Sequence, residues 1–355
     1  VRAATALRLG DETAITHSLF ETELRRRLLF AIGVLDTHSA LDRGTKPIMP
    51  STAFHTPPLN LNDEDFSPPS NVPIGPSFGL TDMSHSAMTY EAMICQRKLY
   101  ELSEKAEDPW QNWPQKLGLV EAYGEYVESL SSLVNESSRP SERLMKISGR
   151  KIFVSLQLIL RRPPYRQSKD IVPPWDDFDI LEAGSGVLEQ HMQPMPPELQ
   201  CWAWKNWVQW HALAVVLAEL TLRPIGPLSD RAYSIATKSF RHYAKIVADS
   251  ESGMLWRPIA KLMRRVQRTR EGACKTAKDE RSSAGELLPS AYCISSLSQQ
   301  DSQPDQDAAM FDFTNWSVDN HDFDLLTGFD TQSRDGSTPW LAWDAFLQDI
   351  ILPDI

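Results

Sequence analysis

A chain of 355 residues, 41% of them hydrophobic, can supply a sizeable core, which excludes a wholly disordered protein. It contains no apolar run of about 18 residues and opens on no charged segment followed by a short apolar one. Neither a membrane span nor a signal peptide is therefore written in it, and a soluble, intracellular protein is expected, with Val1 in place of Met marking an incomplete N-terminus. The formal charge of −11 is a local property. Asp301 to Ile355 holds twelve Asp, no Glu, no Lys and one Arg, Arg334, so the rest of the chain is neutral overall. Such blockwise asymmetry marks an interaction segment.

In chain order, the first helix is expected over about 19–43. There Leu24, Leu28, Ala31, Ile32, Leu35 and Ser39 share a face, Glu21/Arg25 and Glu23/Arg27 are i,i+4 pairs, and Gly44 stops the helix. Asp36 lies at the edge of that face, with Arg25 or Arg43 as its expected partner. From Thr45 to His85 come eight prolines, a density that no helix or central strand tolerates, so this stretch reads as a long irregular connection.

Helical patterning returns at about 86–106, at 116–135 (Val120, Tyr123, Val127, Leu130, Val134) and at 142–161 (Leu144, Ile147, Phe153, Leu156, Ile159). After Pro173 and Pro174 a helix is expected over about 177–192. Another spans about 198–222, where Trp202, Trp204, Trp207 and Trp210 point to a place central to the core. Ser229 and Asp230 suit the N-cap of a helix over about 230–248, with Ala232, Ile235, Phe240, Tyr243 and Val247 inward. A last helix runs from Gly253 to about Arg270. No stretch alternates with a period of two over useful length, and no repeat of fixed period is present. The body is therefore expected to be all-α, a multi-helix regulatory domain over 1–271. A Ser/Gln-rich linker is expected over 272–308 and a disordered acidic C-terminal tail over 309–355 with a short terminal helix.

Several segments together resemble the middle homology region of fungal binuclear zinc-cluster transcription factors. They are Glu23-Leu24-Arg25-Arg26-Arg27-Leu28 running to Leu35-Asp36, then Gly44 and Pro47, and Pro58-Leu59-Asn60-Leu61-Asn62-Asp63-Glu64-Asp65-Phe66. Further on they include Arg161-Arg162-Pro163-Pro164, Gln209-Trp210-His211-Ala212-Leu213-Ala214, Leu217-Ala218-Glu219-Leu220, Arg223-Pro224, Asp230-Arg231-Ala232 and Met254-Leu255-Trp256-Arg257-Pro258-Ile259. A weaker echo occurs at Trp343-Asp344-Ala345-Phe346. Leu29-Phe30 departs from the aromatic pair the family often shows after the arginines.

The resemblance implies nuclear control of RNA polymerase II transcription, often of a metabolic or secondary-metabolite gene set. It implies DNA binding only through a six-cysteine zinc-cluster domain that this chain lacks, and zinc only with that domain upstream. Cys95, Cys201, Cys274 and Cys293 are scattered without a CxxC spacing and read as free, packed thiols. No cofactor is expected in this chain, and a homodimer is left open.

Four constellations invite function. Between Asp301 and Asp330, eight Asp interleave with Phe311, Phe313, Trp316, Phe323, Leu325, Leu326 and Phe329. This acidic-hydrophobic alternation suits an activation segment, because repelling carboxylates keep the rings in water until they enter a coactivator groove, whereas an inert tail rarely carries so many aromatics. Residues Pro339 to Leu352 place Trp340, Trp343, Leu347, Ile350 and Ile351 at helical spacing, which serves either recruitment or docking onto the body.

Arg264, Arg265, Arg268 and Arg270, with Arg257 and Lys261, are candidates for nuclear import or phosphate contact. The plainer reading is the wet face of a helix whose Leu262, Met263 and Val266 look inward, and pairing with the acidic tail is a third reading. Asp176-Asp177-Phe178-Asp179 resembles the Mg²⁺-binding element of all-helical terpenoid synthases. No second metal motif accompanies it, and the aspartates read more simply as a helix first turn. His211 reads as a core histidine.

No GxSxG, GxGxxG after a strand, phosphate loop or HExxH is present, so no catalytic residue is expected. The reading is a transcriptional regulator whose partners are a coactivator or the transcription machinery. The alternative is a metabolite-sensing or corepressor-like helical protein with no DNA binding of its own.

Overall fold

The computed structural model describes residues 1–11, 18–65, 77, 79–104, 110–163, 172–246 and 256–284. Among them are α1 (Arg2–Ala6), α2 (Leu19–Arg43), α3 (Ser84–Glu104), α4 (Trp113–Ser132), α5 (Pro140–Arg161), α6 (Ile180–Met192), α7 (Trp210–Leu222), α8 (Pro227–Ile246) and α9 (Trp256–Ala284), and no strand. The all-α expectation holds. Contacts divide the chain into two units. The larger contains Val1–Ala273, and the smaller, Cys274–Thr338, contributes to the described residues only the end of α9.

Local chemistry sets the ends of α2. Ser18 Oγ accepts from the Glu21 amide at 3.1 Å while the Glu21 carboxylate accepts from the Ser18 amide at 3.0 Å, a reciprocal capping box. Gly44 ends the helix with φ 64°, and the Gly44 and Thr45 amides donate to the Leu41 and Ala40 carbonyls. The left-handed conformation favours glycine there.

The face that α2 buries differs from the one its apolar residues suggest. Leu24, Leu28 and Leu35 remain 49%, 47% and 58% exposed, while Phe30, Gly33, Asp36, Thr37, Ala40 and Leu41 turn inward. A buried polar group is favourable only when its hydrogen bonds are supplied, and here they come from far along the chain. Asp36 accepts from the Ile48 and Met49 amides at 3.0 and 2.9 Å and from the Arg97 guanidinium at 2.7 Å. Arg97 also donates to Thr37 Oγ1 at 2.8 Å and to the Met49 carbonyl, and it lies over the Phe54 ring. The partner of Asp36 is thus Arg97 of α3, neither Arg25 nor Arg43. Arg25 instead donates to the Leu7 and Arg8 carbonyls. The expected Glu23/Arg27 pair forms, at 3.3 Å, and buried Glu23 also accepts from the Leu59 amide at 2.9 Å. At Gly33 any Cβ would meet the Phe54 ring at 2.5 Å, so the proline-rich connection can cross α2 closely.

The core has three parts. Phe30, Met49, Phe54, Met83, Tyr90 and Met93 join α2, the connection and α3. Cys95, Leu99, Val120, Tyr123, Val127, Leu156 and Ile159 join α3, α4 and α5. The third part surrounds α7, of which every residue from Trp210 to Leu220 is buried, by Leu181 and Leu188 of α6, Phe240 and Tyr243 of α8, and Leu262, Met263 and Val266 of α9. A helix apolar on all sides must be enclosed on all sides.

Two expectations need correction here. The helix expected over 198–222 is interrupted: Pro197–Lys205 forms a 3-10 segment, Asn206 to Gln209 are non-helical, and α7 begins only at Trp210. Trp204 is 72% exposed and Trp202 and Trp207 are half-buried, so Trp210 alone of the four tryptophans joins the core. The final helix, expected to stop near Arg270, continues to Ala284, into the stretch read as linker from 272. Nothing between Arg270 and Ala284 breaks a helix apart from Gly272, and Lys and Ala there favour one.

Replacing Asp36 by Ala leaves Arg97 charged and unpaired inside the fold. It is expected to lower stability in urea unfolding by about 3–5 kcal/mol. Leu28→Ala, on the face that only the apolar pattern marks as core, is expected to cost less than about 1.5 kcal/mol.

Candidate functional site

A cavity of about 890 Å³ opens inside the larger unit where α2, α3 and α5 meet the 193–209 segment and the start of α7. Its position follows from the orientation of α2 and from the break before α7. With Asp36 and Thr37 turned toward α3, the adjoining positions Val34, Leu35, His38, Leu41 and Asp42 border the cavity. With Asn206 to Gln209 non-helical, Trp204 and Trp207 are carried to its edge instead of continuing a helix.

Most of the wall is apolar, including Leu41, Met93, Leu144, Leu156, Ile159 and Leu199, with Tyr90, Trp204, Trp207 and Trp210 supplying aromatic surface. Polar residues are interspersed, but the charged groups are few and unevenly distributed. His38 Nε2 lies 3.6 Å from Asp42 Oδ2, and its ring abuts Trp207 edge to face. Burial pushes His38 down to about 3 and Asp42 up to about 7, the latter opposed by the charge of Arg43. Between about pH 3 and pH 7 this pair is largely uncharged.

Lys151, Lys205 and His85 also line the cavity. Lys151 donates to the neutral amide of Asn206 at 3.0 Å, and the Lys205 ammonium lies 5.2 Å from the centre of the Trp204 ring. Burial lowers both lysines below their ordinary range. His85 falls to about 4, through burial first and the Lys205 charge second, and its buried Nδ1 has no hydrogen-bond partner. Among the described residues no carboxylate pairs with Lys151 or Lys205. The cavity therefore presents a broad apolar surface with an unneutralised cationic side. That is the composition of a small-molecule site, in which apolar walls supply burial and a few polar groups fix orientation.

The residues singled out from the sequence lie elsewhere. Phe311, Phe313, Trp316, Phe323, Trp340 and Trp343 fall outside the described residues. Arg257, Lys261, Arg264, Arg265 and Arg268 lie exposed on α9 while Leu262, Met263 and Val266 are buried. Arg270 is committed to structure: it pairs with Asp230, donates to the Pro224 carbonyl and lies over the Tyr233 ring.

The aspartates before α6 also serve the fold. Asp176 forms a two-point ion pair with buried Arg161, both distances 2.7 Å, and Asp179 caps α6 through the Leu181 and Glu182 amides while binding Arg223. His211 is buried, and its Nε2 lies 2.7 Å from the Arg162 carbonyl. Cys95, Cys201 and Cys274 are free, and burial pushes the Cys95 thiol up to about 12. Among the described residues no group of three His, Cys, Asp or Glu could hold a metal ion, and no helix is long and apolar enough to cross a membrane.

Compared with known proteins, the chain is similar to fungal C6 finger transcription factors. It is 24% identical over 246 residues to the aurofusarin cluster transcription factor aurR2 of Gibberella zeae, covering 67% of this chain and 36% of that protein. To the C6 finger domain transcription factor nscR of Trichophyton verrucosum it is 24% identical over 368 residues, covering 99% of this chain and 51% of the relative. To adaR of Aspergillus niger, of the same description, it is 22% identical over 297 residues, covering 74% and 37%. The chain thus spans about a third to a half of the length of the curated relatives it matches. No family model matches, and no solved structure matches.

Asp42 gives a pH test of the cavity's burial. Its folded value, about 7, lies above the ordinary 3.8, so between these values the unfolded carboxyl is ionised while the folded one keeps its proton. Its contribution is therefore fully present below about 3.8 and is lost as pH rises through about 7. Asp42→Asn should accordingly gain stability relative to the unaltered chain between pH 5 and pH 8, by on the order of 1–4 kcal/mol, read as the change in the difference between their urea midpoints.

Proposed function

We propose that the chain is the regulatory and activating part of a nuclear regulator of RNA polymerase II transcription in a fungus, acting on a secondary-metabolite gene set. The observation that carries this reading is the similarity of the chain to named fungal transcription factors, one of them of the aurofusarin cluster. The helical body is joined to a C-terminal segment in which the whole net charge of the chain is interleaved with aromatic residues. In this reading the body supports regulation or dimerisation. The segment from Asp301 onward presents Phe311, Phe313, Trp316 and Phe323, with Trp340 and Trp343 beyond them, to a coactivator or the transcription machinery. DNA contact and zinc belong to a six-cysteine module of the kind the relatives' names describe, not to the scattered cysteines here. Exposed Arg264, Arg265 and Arg268 are the part of α9 offered for import or phosphate contact, Arg270 being held by Asp230.

A second reading is favoured by the cavity: a metabolite-sensing helical protein whose output depends on occupancy and which has no DNA contact of its own. The two readings are separable in the laboratory. Fused to an unrelated DNA-binding module, residues 301–355 are expected to activate a reporter. Alanine at Phe311, Phe313, Trp316 and Phe323 together is expected to reduce the signal at least about tenfold at equal protein level, since the rings supply most of the apolar contact such segments make. A silent fusion that is nevertheless expressed leaves the sensing reading alone.

A further inference from the structure

The geometry of the cavity points to its ligand: we propose that it binds a small aromatic acid, a flat apolar body of drug-like size carrying one anionic group, oriented by Lys151 and Lys205. This rests on the reading of the cavity as a sensing site and names the chemistry sensed.

Three observations converge. The volume, about 890 Å³, lies in the range of small-molecule sites. Trp204 and Trp207 border the space beside Trp210, and aromatic faces favour a planar ring system through stacking and edge contacts. The third observation decides the charge. Lys151 and Lys205 hold ammonium groups partly out of water with only an amide oxygen and an indole face as partners, and His85 adds a buried nitrogen with none.

A neutral ligand would leave that desolvation uncompensated and a cation would add to it. An anion receives two charge-assisted hydrogen bonds and restores the lysines toward their ordinary basicity. At the α2 side of the cavity Asp42 keeps its proton through mildly acidic pH, so under those conditions it does not repel an acid. Of the other charged groups at the cavity, Arg150 is exposed and lies 4.0 Å from the Glu128 carboxylate, so it adds little net charge. Apolar surface thus sets affinity for the ring body, and the lysine pair discriminates the acid from its neutral analogue.

The test uses the full chain and two fluorescent probes of nearly the same shape: anilinonaphthalene sulfonate, which is anionic, and phenylnaphthylamine, which lacks the sulfonate. Both are expected to bind at one molecule per chain. In the double variant Lys151→Gln, Lys205→Gln, the sulfonate is expected to weaken at least about tenfold, while the neutral probe changes less than about twofold. Tenfold is the least expected for loss of two charge-assisted contacts, and the split between the probes is not produced by general loosening of the fold. Ser155→Trp, which brings an indole into the space from a half-buried position on α5, is expected to remove both probes.

If both probes bind but the lysine variant weakens them equally, or weakens neither, the anion assignment is wrong while a small-molecule site stands. If neither probe binds the unaltered chain, the sensing reading and this inference both fall, and the reporter result for 301–355 is untouched. Competitive displacement of the sulfonate by a synthetic peptide of residues 339–355 would assign the cavity to the chain's own C-terminal segment and overturn the proposal.

Discussion

One buried ion pair orders the first half of this molecule. Asp36 and Arg97 are each about 4% exposed or less, and between them they satisfy the Ile48 and Met49 amides, the Met49 carbonyl and the Thr37 hydroxyl. A carboxylate and a guanidinium so far from water are tolerated because almost every lone pair and proton finds a partner. The pair therefore specifies one rotation of α2 about its axis. That rotation leaves Leu24, Leu28 and Leu35 half in water and sends Leu35, His38 and Asp42 to the cavity. The position of the cavity is in this sense a consequence of where a polar network closes, not of where the most leucines lie.

The second half is organised by a different constraint. The enclosed α7 has no wet face, so the helices around it must be held at its ends. A layer of arginines does this. Arg161 joins Asp176, Arg162 joins buried Glu219, and Arg223 joins Asp179 while approaching Glu219. Arg161 is further covered by the Phe178 ring at 4.0 Å. The acidic run before α6, which on its own suggests metal chemistry, is largely accounted for by these pairs and by the cap of α6. A cluster of carboxylates beside as many guanidinium groups stabilises an interface and offers a cation little.

Helices α3 to α6 and α8 were legible because their apolar positions repeat at the helical period, although α8 starts at Pro227 and so places Ser229 and Asp230 inside its first turn, not at its cap. Less of the site was legible. Lys151 and Lys205 are ordinary lysines in sequence, and nothing nearby in the chain announces that neither meets a carboxylate. The break at Asn206 to Gln209 was hidden by tryptophans that fit a helix as well as a loop. A signal did exist in Pro194, Pro196 and Pro197, which bring the chain into the segment without regular hydrogen bonding. The match of Leu24, Leu28 and Leu35 to the helical period misled because periodicity detects an apolar stripe and cannot say whether that stripe faces the core or the solvent.

The sequence by itself determined the helical class of the body, the approximate extents of most helices and the gathering of all net charge into the last residues. These follow from backbone propensity, capping and composition, which act over a few residues. Tertiary structure decided which face of α2 is buried, that Trp210 and not Trp204 enters the core, and that two lysines and a histidine meet at one cavity. Those outcomes depend on partners as far apart as Asp36 and Arg97, whose free energy of contact exists only once the chain has brought them together.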